Sequence, residues 1–272
     1  MRKTMTVVGT VLVLGLTFAG CDNNGGGGGN GGAGGGGGAA VNNPPVPAPG
    51  TMELNLTGRV YSVDSGGGFF AFPTFTPFPS EQTRTVTISD DHGIDETGTI
   101  ASGQLNFTVG TPTSLRPIAE SWSYGITVDP PTAQGITLRS FRTQAPGDTF
   151  SSGGLELIHM SGSVRGNSFS SELVQREHIF VDRDVIIRLA QDFSETWTYT
   201  EDDSTVNRTS TTRAFTLTIR EGWNAIHFMR VSIGTFVGTI ENFTSVTQAS
   251  TTTISTADPG RQLRWVQSDW YD

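Results

Sequence analysis

Between residues 212 and 220 the chain alternates with a period of two: Phe215, Leu217 and Ile219 are apolar, and Thr216 and Thr218 between them are polar. A period of two sends successive side chains to opposite faces, so such a segment can bury one face as a strand but cannot form an amphipathic helix. The same rhythm recurs at Val86 and Ile88, at Leu105, Phe107 and Val109, and at Trp122, Tyr124, Ile126 and Val128. Threonine, valine, isoleucine and aromatic residues dominate these segments, and turn residues separate them. Strands are predicted over 54–63, 83–89, 103–109, 121–128, 135–141, 155–164, 168–181, 193–200, 212–220, 223–231, 233–243 and 245–255, before an aromatic tail at Trp265, Trp270 and Tyr271. The segment 184–195 admits two readings. Val185, Ile186, Leu189 and Phe193 also fit one face of a helix, with Asp182 or Asp184 as its cap, although a strand is the preferred reading.

The fold class is therefore all-β, an antiparallel β-sandwich. Pro130-Pro131 is the firmest internal punctuation. Before it, in 51–131, the spacing of strands resembles an Ig-like or transthyretin-like sandwich. After it, in 132–272, longer strands predict a second antiparallel module, a meander or a barrel. One continuous β domain over 51–272 is the alternative.

The first 50 residues follow another grammar. Arg2 and Lys3 precede an apolar run over 5–18, which ends in Phe18-Ala19-Gly20-Cys21. A short apolar run behind basic residues and before small ones is the pattern of a secretory leader. The position of the chain's one cysteine sharpens this, because Phe18-Ala19-Gly20-Cys21 resembles the lipobox of bacterial lipoproteins. The resemblance implies cleavage after residue 20, a lipid on the Cys21 thiol, and a mature chain held on a cell membrane or outer membrane, with its body in the periplasm or at the cell surface. Asp22 occupies the position that, in some Gram-negative lipoproteins, retains the protein in the inner membrane. Residues 22–50 are rich in glycine, asparagine and proline. Such a tether of about 29 residues has a root-mean-square reach of roughly 30 Å. The hairpin from Phe215 to Ile226, with Gly222-Trp223-Asn224 at its turn, resembles an element of uncharacterised bacterial envelope lipoproteins that carry β-sandwich domains; the likeness covers about a dozen residues.

Charge excludes several chemistries. The only lysine is Lys3, so the chain beyond the leader has none, and its formal charge moves from −9 to −11 once Arg2 and Lys3 are removed. Without lysine there is no Schiff-base catalysis and no lysine–asparagine cross-link. An acidic chain without a basic patch is also a poor ligand for nucleic acid. With Cys21 lipidated there is no disulfide, so stability must come from the core.

The candidate sites are sparse. Phe70, Phe72, Phe75 and Phe78 stand among Pro73, Pro77 and Pro79, a composition that no central strand tolerates. They form either an exposed aromatic grip for an envelope protein or glycan, or a plug over the end of the core. Asp90, Asp91, Asp95 and Glu96 could offer oxygens to calcium, although their spacing is not that of an EF-hand and a solvated hairpin tip is the plainer reading. His92, His159, His178 and His227 show no zinc spacing. Neither a nucleophile elbow nor a placed pair of glycosidase carboxylates is readable, though Glu156, Glu172, Glu177 and Glu195 all lie in strand-like sequence. The expectation is a membrane-anchored envelope lipoprotein without cofactor or catalytic residues, acting by binding, adhesion or structural contact. A secreted hydrolase or carbohydrate-active enzyme and a periplasmic assembly scaffold are the alternatives.

Overall fold

The computed structural model describes residues 43–64, 72–88, 94, 96–122, 125–147, 153–201, 204–240 and 242–268. Among them there are eighteen strands and one short 3-10 turn, Ile118–Ser121. The strands are β1 (Leu54–Asp64), β2 (Thr74–Pro77), β3 (Arg84–Ile88), β4 (Gly98–Ala101), β5 (Gln104–Val109), β6 (Arg116–Pro117), β7 (Ile126–Asp129), β8 (Gln134–Leu138) and β9 (Phe141–Gln144). They continue with β10 (Gly153–Arg165), β11 (Ser168–Val181), β12 (Val185–Leu189), β13 (Phe193–Glu201), β14 (Ser204–Thr212), β15 (Phe215–Ile219), β16 (Gly222–Gly238), β17 (Phe243–Ser255) and β18 (Arg264–Ser268). The chain is all-β and sandwich-like, with one large mixed sheet and one small antiparallel sheet.

The large sheet runs β13-β14-β17-β16-β11-β10-β18-β1-β5-β4-β3-β9, and β9 also pairs with β10. That last pairing closes seven strands into a ring: β10, β18, β1, β5, β4, β3 and β9. Alternate residues fill it. In β5, Leu105, Phe107 and Val109 point inward and are buried, whereas Gln104, Asn106 and Thr108 are exposed. Phe107 meets Phe141 edge-on at 5.7 Å, and Phe141 meets Trp265 at 5.9 Å, so aromatic edges from three strands set the width of the interior. Hydrogen-bonded pairs join residues on both sides of Pro130-Pro131, as in Val86 with Thr143 and Val60 with Trp265. The sheet departs from purely antiparallel pairing at two places, β1 with β18 and β14 with β17.

The small sheet, β15-β12-β7, forms the second layer. Its Ile187, Leu217 and Ile219 pack on Ile179, Val181 and Ile226 of β11 and β16. Segment 184–195 thus contributes a strand and not a helix. Val185, Ile187 and Leu189 are buried between layers while Ile186 is 43% exposed, which is the period of two.

Three other expectations shift. The 121–128 strand begins only at Ile126, and the 3-10 turn occupies its predicted start; Trp122 is half-buried against Phe215 and Phe228, and Tyr124 lies outside the described residues. The predicted break near residue 232 does not occur, because β16 runs unbroken through it for 17 residues. β14 has a single apolar residue, Val206, and so carried no periodic signal; its hydroxyl-bearing residues extend by pairing with β13 and β17.

Gly98 fixes one contact in the ring. A Cβ there would run into the Phe107 side chain. Gly98→Ala is expected to destabilise the chain by about 1–3 kcal/mol through overpacking. Combining it with Phe107→Leu should give less than the sum of the two single losses, since the smaller side chain makes room. Denaturant titration of the three variants checks this. Additive losses would show that Gly98 and Phe107 do not share the contact.

Candidate functional site

Ionisable groups are drawn into the region where β10, β11 and β16 run side by side. Arg176, Glu177 and His178 are consecutive on β11, so the arginine and histidine face the ring interior while the glutamate faces the opposite way. Arg176 is held on several sides. Its Nε donates to Nε2 of His227 at 3.0 Å, and its Nη1 donates to the Pro44 carbonyl at 2.9 Å and to that of Pro45 at 3.3 Å. Asp258 lies 3.7 Å from Nη2. A donor aimed at Nε2 requires a neutral His227 with its proton on Nδ1. Burial, together with the Arg176 charge, accordingly pushes the His227 pKa down to about 4. His178 is driven down to about 3 by complete burial and by the same guanidinium. These groups lock the segment before β1 onto the body: Asn43 accepts from the Leu263 amide and donates to the Arg261 carbonyl, and Gly50 donates to the Trp223 carbonyl.

On the other face Glu177 pairs with Arg139 at 3.3 Å, and burial pushes its pKa up to about 7, against the pull of Arg139 and with a further push from Glu156. Burial raises the Glu156 pKa as well. The structure thus gathers two of the carboxylates noted in the sequence, but Glu177 is 2% exposed and leaves no open face for a substrate. A third cluster lies nearer the surface. Glu172 accepts from Arg261 through both oxygens, a bond that lowers its pKa, and His159 lies 3.7 Å from it. Among the described residues no three histidine, cysteine, aspartate or glutamate side chains are grouped to hold a metal.

The residues singled out in the sequence are dispersed. Cys21, Phe70, Asp90, Asp91 and Asp95 lie outside the described residues. Glu96 accepts from the Gly110 amide at 3.1 Å, which engages one of its oxygens in tying a loop. Phe78 is buried in the ring core. Phe75 is half-buried beneath the Arg264 guanidinium at 5.3 Å, and Phe72 covers Gly162, where a Cβ would strike its ring. These three each pack on a different part of the body.

The surface that the structure does assemble was not legible in advance. Beyond the ring, β16, β17, β14 and β13 continue as a wing that is open on its outer face. Register places side chains on that face in four rows: Ser194, Thr211, Thr251, Val231; Thr196, Thr209, Ala249, Ile233; Thr198, Asn207, Thr247, Thr235; and Thr200, Thr205, Ser245, Val237. None of them is charged. Ile233 and Val237 are 59% and 61% exposed. Cross-strand hydroxyl bonds stiffen the rows, Ser194 to Thr211 at 2.7 Å and Thr198 to Asn207 at 2.7 Å. The outer strand β13 has no partner on its far edge among the described residues. Compared with family models, with curated proteins and with solved structures, the chain matches none.

The buried charges make stability depend on pH in two directions. Glu177 holds its proton more tightly folded than unfolded, so its contribution is full below about pH 4.5 and is lost as the pH rises to about 7. His227 and His178 hold theirs less tightly, so their contributions are full above 6.5 and are lost as the pH falls. Glu177→Gln should therefore gain stability relative to wild type at pH 8 compared with pH 5, by about 3 kcal/mol. Denaturant unfolding at both pH values tests it; an equal effect at the two would place the raised proton affinity elsewhere.

Proposed function

We propose that the chain is a lipid-anchored envelope protein that works by binding or structural contact, with the outer face of the wing as its contact surface. The observation that carries the reading is that uncharged four-by-four face, exposed on an acidic protein of net charge −9. Charged side chains are the usual guard of an exposed sheet against association. Their absence over a whole face fits a surface meant to be covered. The lipobox-like Phe18-Ala19-Gly20-Cys21 and the glycine-rich tether support anchoring, with enough reach for the body to meet a neighbouring envelope protein or glycan. The buried charges support a non-catalytic reading, because Arg176, His227 and Glu177 are each engaged in holding strands or the entering chain.

Three experiments test the reading. Cys21→Ser should move the chain from the membrane fraction to the soluble fraction; retention in the membrane would overturn lipid anchoring at that thiol. Proteinase K applied to intact cells, followed by immunoblotting, separates a surface-exposed body from a periplasmic one. On the contact surface, Ile233→Glu combined with Thr247→Glu should abolish recovery of chemically cross-linked envelope partners while leaving the melting temperature within a few degrees of wild type. Undiminished cross-linking would rule out the outer face as the contact.

A further inference from the structure

The inner face of the wing carries a different chemistry. An apolar cluster there contains Val206, Phe236 and Val246, with Val164, Phe169 and Tyr199 packed against it. Register sets Tyr199, Val206, Val246 and Phe236 side by side across β13, β14, β17 and β16, and Phe169 and Val164 of β11 and β10 extend the row. A second apolar cluster, beneath the small sheet, reaches Phe228 and Ile254 on the same face. Between the two clusters lies a polar belt. Its central row is Ser210, Ser250 and Ser232, with the last two hydroxyls bonded to each other at 2.8 Å.

Two arginines flank that row. Arg208 on β14 lies one inward-facing position to one side, and Arg230 on β16 lies one inward-facing position to the other. Neither forms an ion pair within 4 Å among the described residues. Arg208 Nε is buried without a hydrogen-bond partner, and its guanidinium lies 5.3 Å over the Tyr199 ring. Burial lowers the Arg230 pKa, and the Arg208 charge lowers it further, so the two cations feel one another. Glu195 projects from the same face of β13, opposite Ser210, but pairs with neither arginine. Two partly desolvated like charges without a counterion oppose folding. A protein with nine more acidic than basic charges does not lack carboxylates to neutralise them. The arrangement makes sense as a receptor for an anion supplied from outside.

The surroundings narrow the anion. Trp197, directly across from Arg208, and Phe193 face the same side and remain 37% and 38% exposed. Exposed aromatic rings beside forked donors and a row of hydroxyls suit a ligand with an apolar face, many hydroxyls and one acidic group. We propose that the inner face of the wing, through Arg208, Arg230, Ser210 and Trp197, binds an acidic sugar, with the carboxylate or sulfate between the two arginines and the ring against Trp197. The site is separate from the outer face and stands whether or not that face makes the contact proposed above.

The test is calorimetric titration of the full-length chain in detergent with an oligogalacturonate, a sulfated oligosaccharide, neutral maltohexaose and sodium sulfate. Binding of either acidic oligosaccharide, weakened at least tenfold by Arg208→Gln and by Arg230→Gln and weakened by Trp197→Ala, is the expected result. Both arginine variants should melt at or above the wild-type temperature, which shows that they fold. Failure of both acidic oligosaccharides to bind overturns the proposal. So does equal binding of maltohexaose, unchanged affinity in the arginine variants, or sodium sulfate competing as tightly as the sugars, which would reduce the site to one for simple anions.

Discussion

The architecture depends on β10 changing partners along one edge. Over residues 157–165 that edge pairs with β11, and over 153–155 it pairs with β9. β11 in turn takes up β8 over 178–181, beyond the point where β10 has left it. The two sheet directions diverge at this fork. One branch closes into the ring through β9, and the other stays open as the wing. Closure removes sheet edges and encloses an apolar core, whereas an open sheet exposes both a face and an edge. One pair of long strands therefore links a stable body to an exposed surface without a linker between them, so the wing inherits the rigidity of the ring.

Arg176 sits just below that fork and explains how the entering chain is fixed. Leu157, its cross-strand neighbour on β10, is in the ring core, so the guanidinium lies at the margin of apolar packing. A buried cation needs partners for its donors and charge. Two proline carbonyls take Nη1, while Nη2 makes no hydrogen bond and has Asp258 at 3.7 Å to offset its charge. Proline lacks an amide hydrogen and cannot donate to a ladder, so its carbonyl is free to be recruited. The proline-rich end of the tether thus has a structural use that composition alone does not reveal. From residue 43 it is a segment bound to the body. The long guanidinium fork reaches both carbonyls and His227 at once, which an ammonium could do less well.

What was legible in the sequence followed from burial on one face. β5 and β15 have clean alternation because one side of each packs on a core, whereas in β12 an apolar Ile186 on the exposed face blurred the period and left a helix open. β11 was read with its full bounds, although both of its faces are buried near Val181, because it is rich in β-branched and aromatic residues. β14 was not legible, since Ser204–Thr212 packs only Val206 into a core and is extended by its neighbours. The closing pair of β9 with β10 and the parallel pair of β1 with β18 were equally hidden. Each depends on register between segments that carry no mark of which partner they will meet. The sites were less legible than the fold for the same reason. The outer face is built from residues on four strands, and none of those strands looks unusual alone. Arg208 and Arg230 become a pair only when β17 is placed between them.

The free edge of β13 poses a problem that the wing solves only in part. Nine residues of backbone are open to pairing on one side, and the strand contains no lysine or proline to discourage it. Two features act against indiscriminate addition. The right-handed twist that an open sheet accumulates turns the edge away from the flat geometry that a second strand prefers. Glu195 places a carboxylate on the inner side of the same strand, so two copies would bring negative charge onto a shared face. Neutrality on the outer face, set against twist and charge at the edge, directs association to the face. On the lipid-anchored reading proposed above there is reason to separate the two, because lateral strand addition among identical neighbours would compete with any contact made by the face.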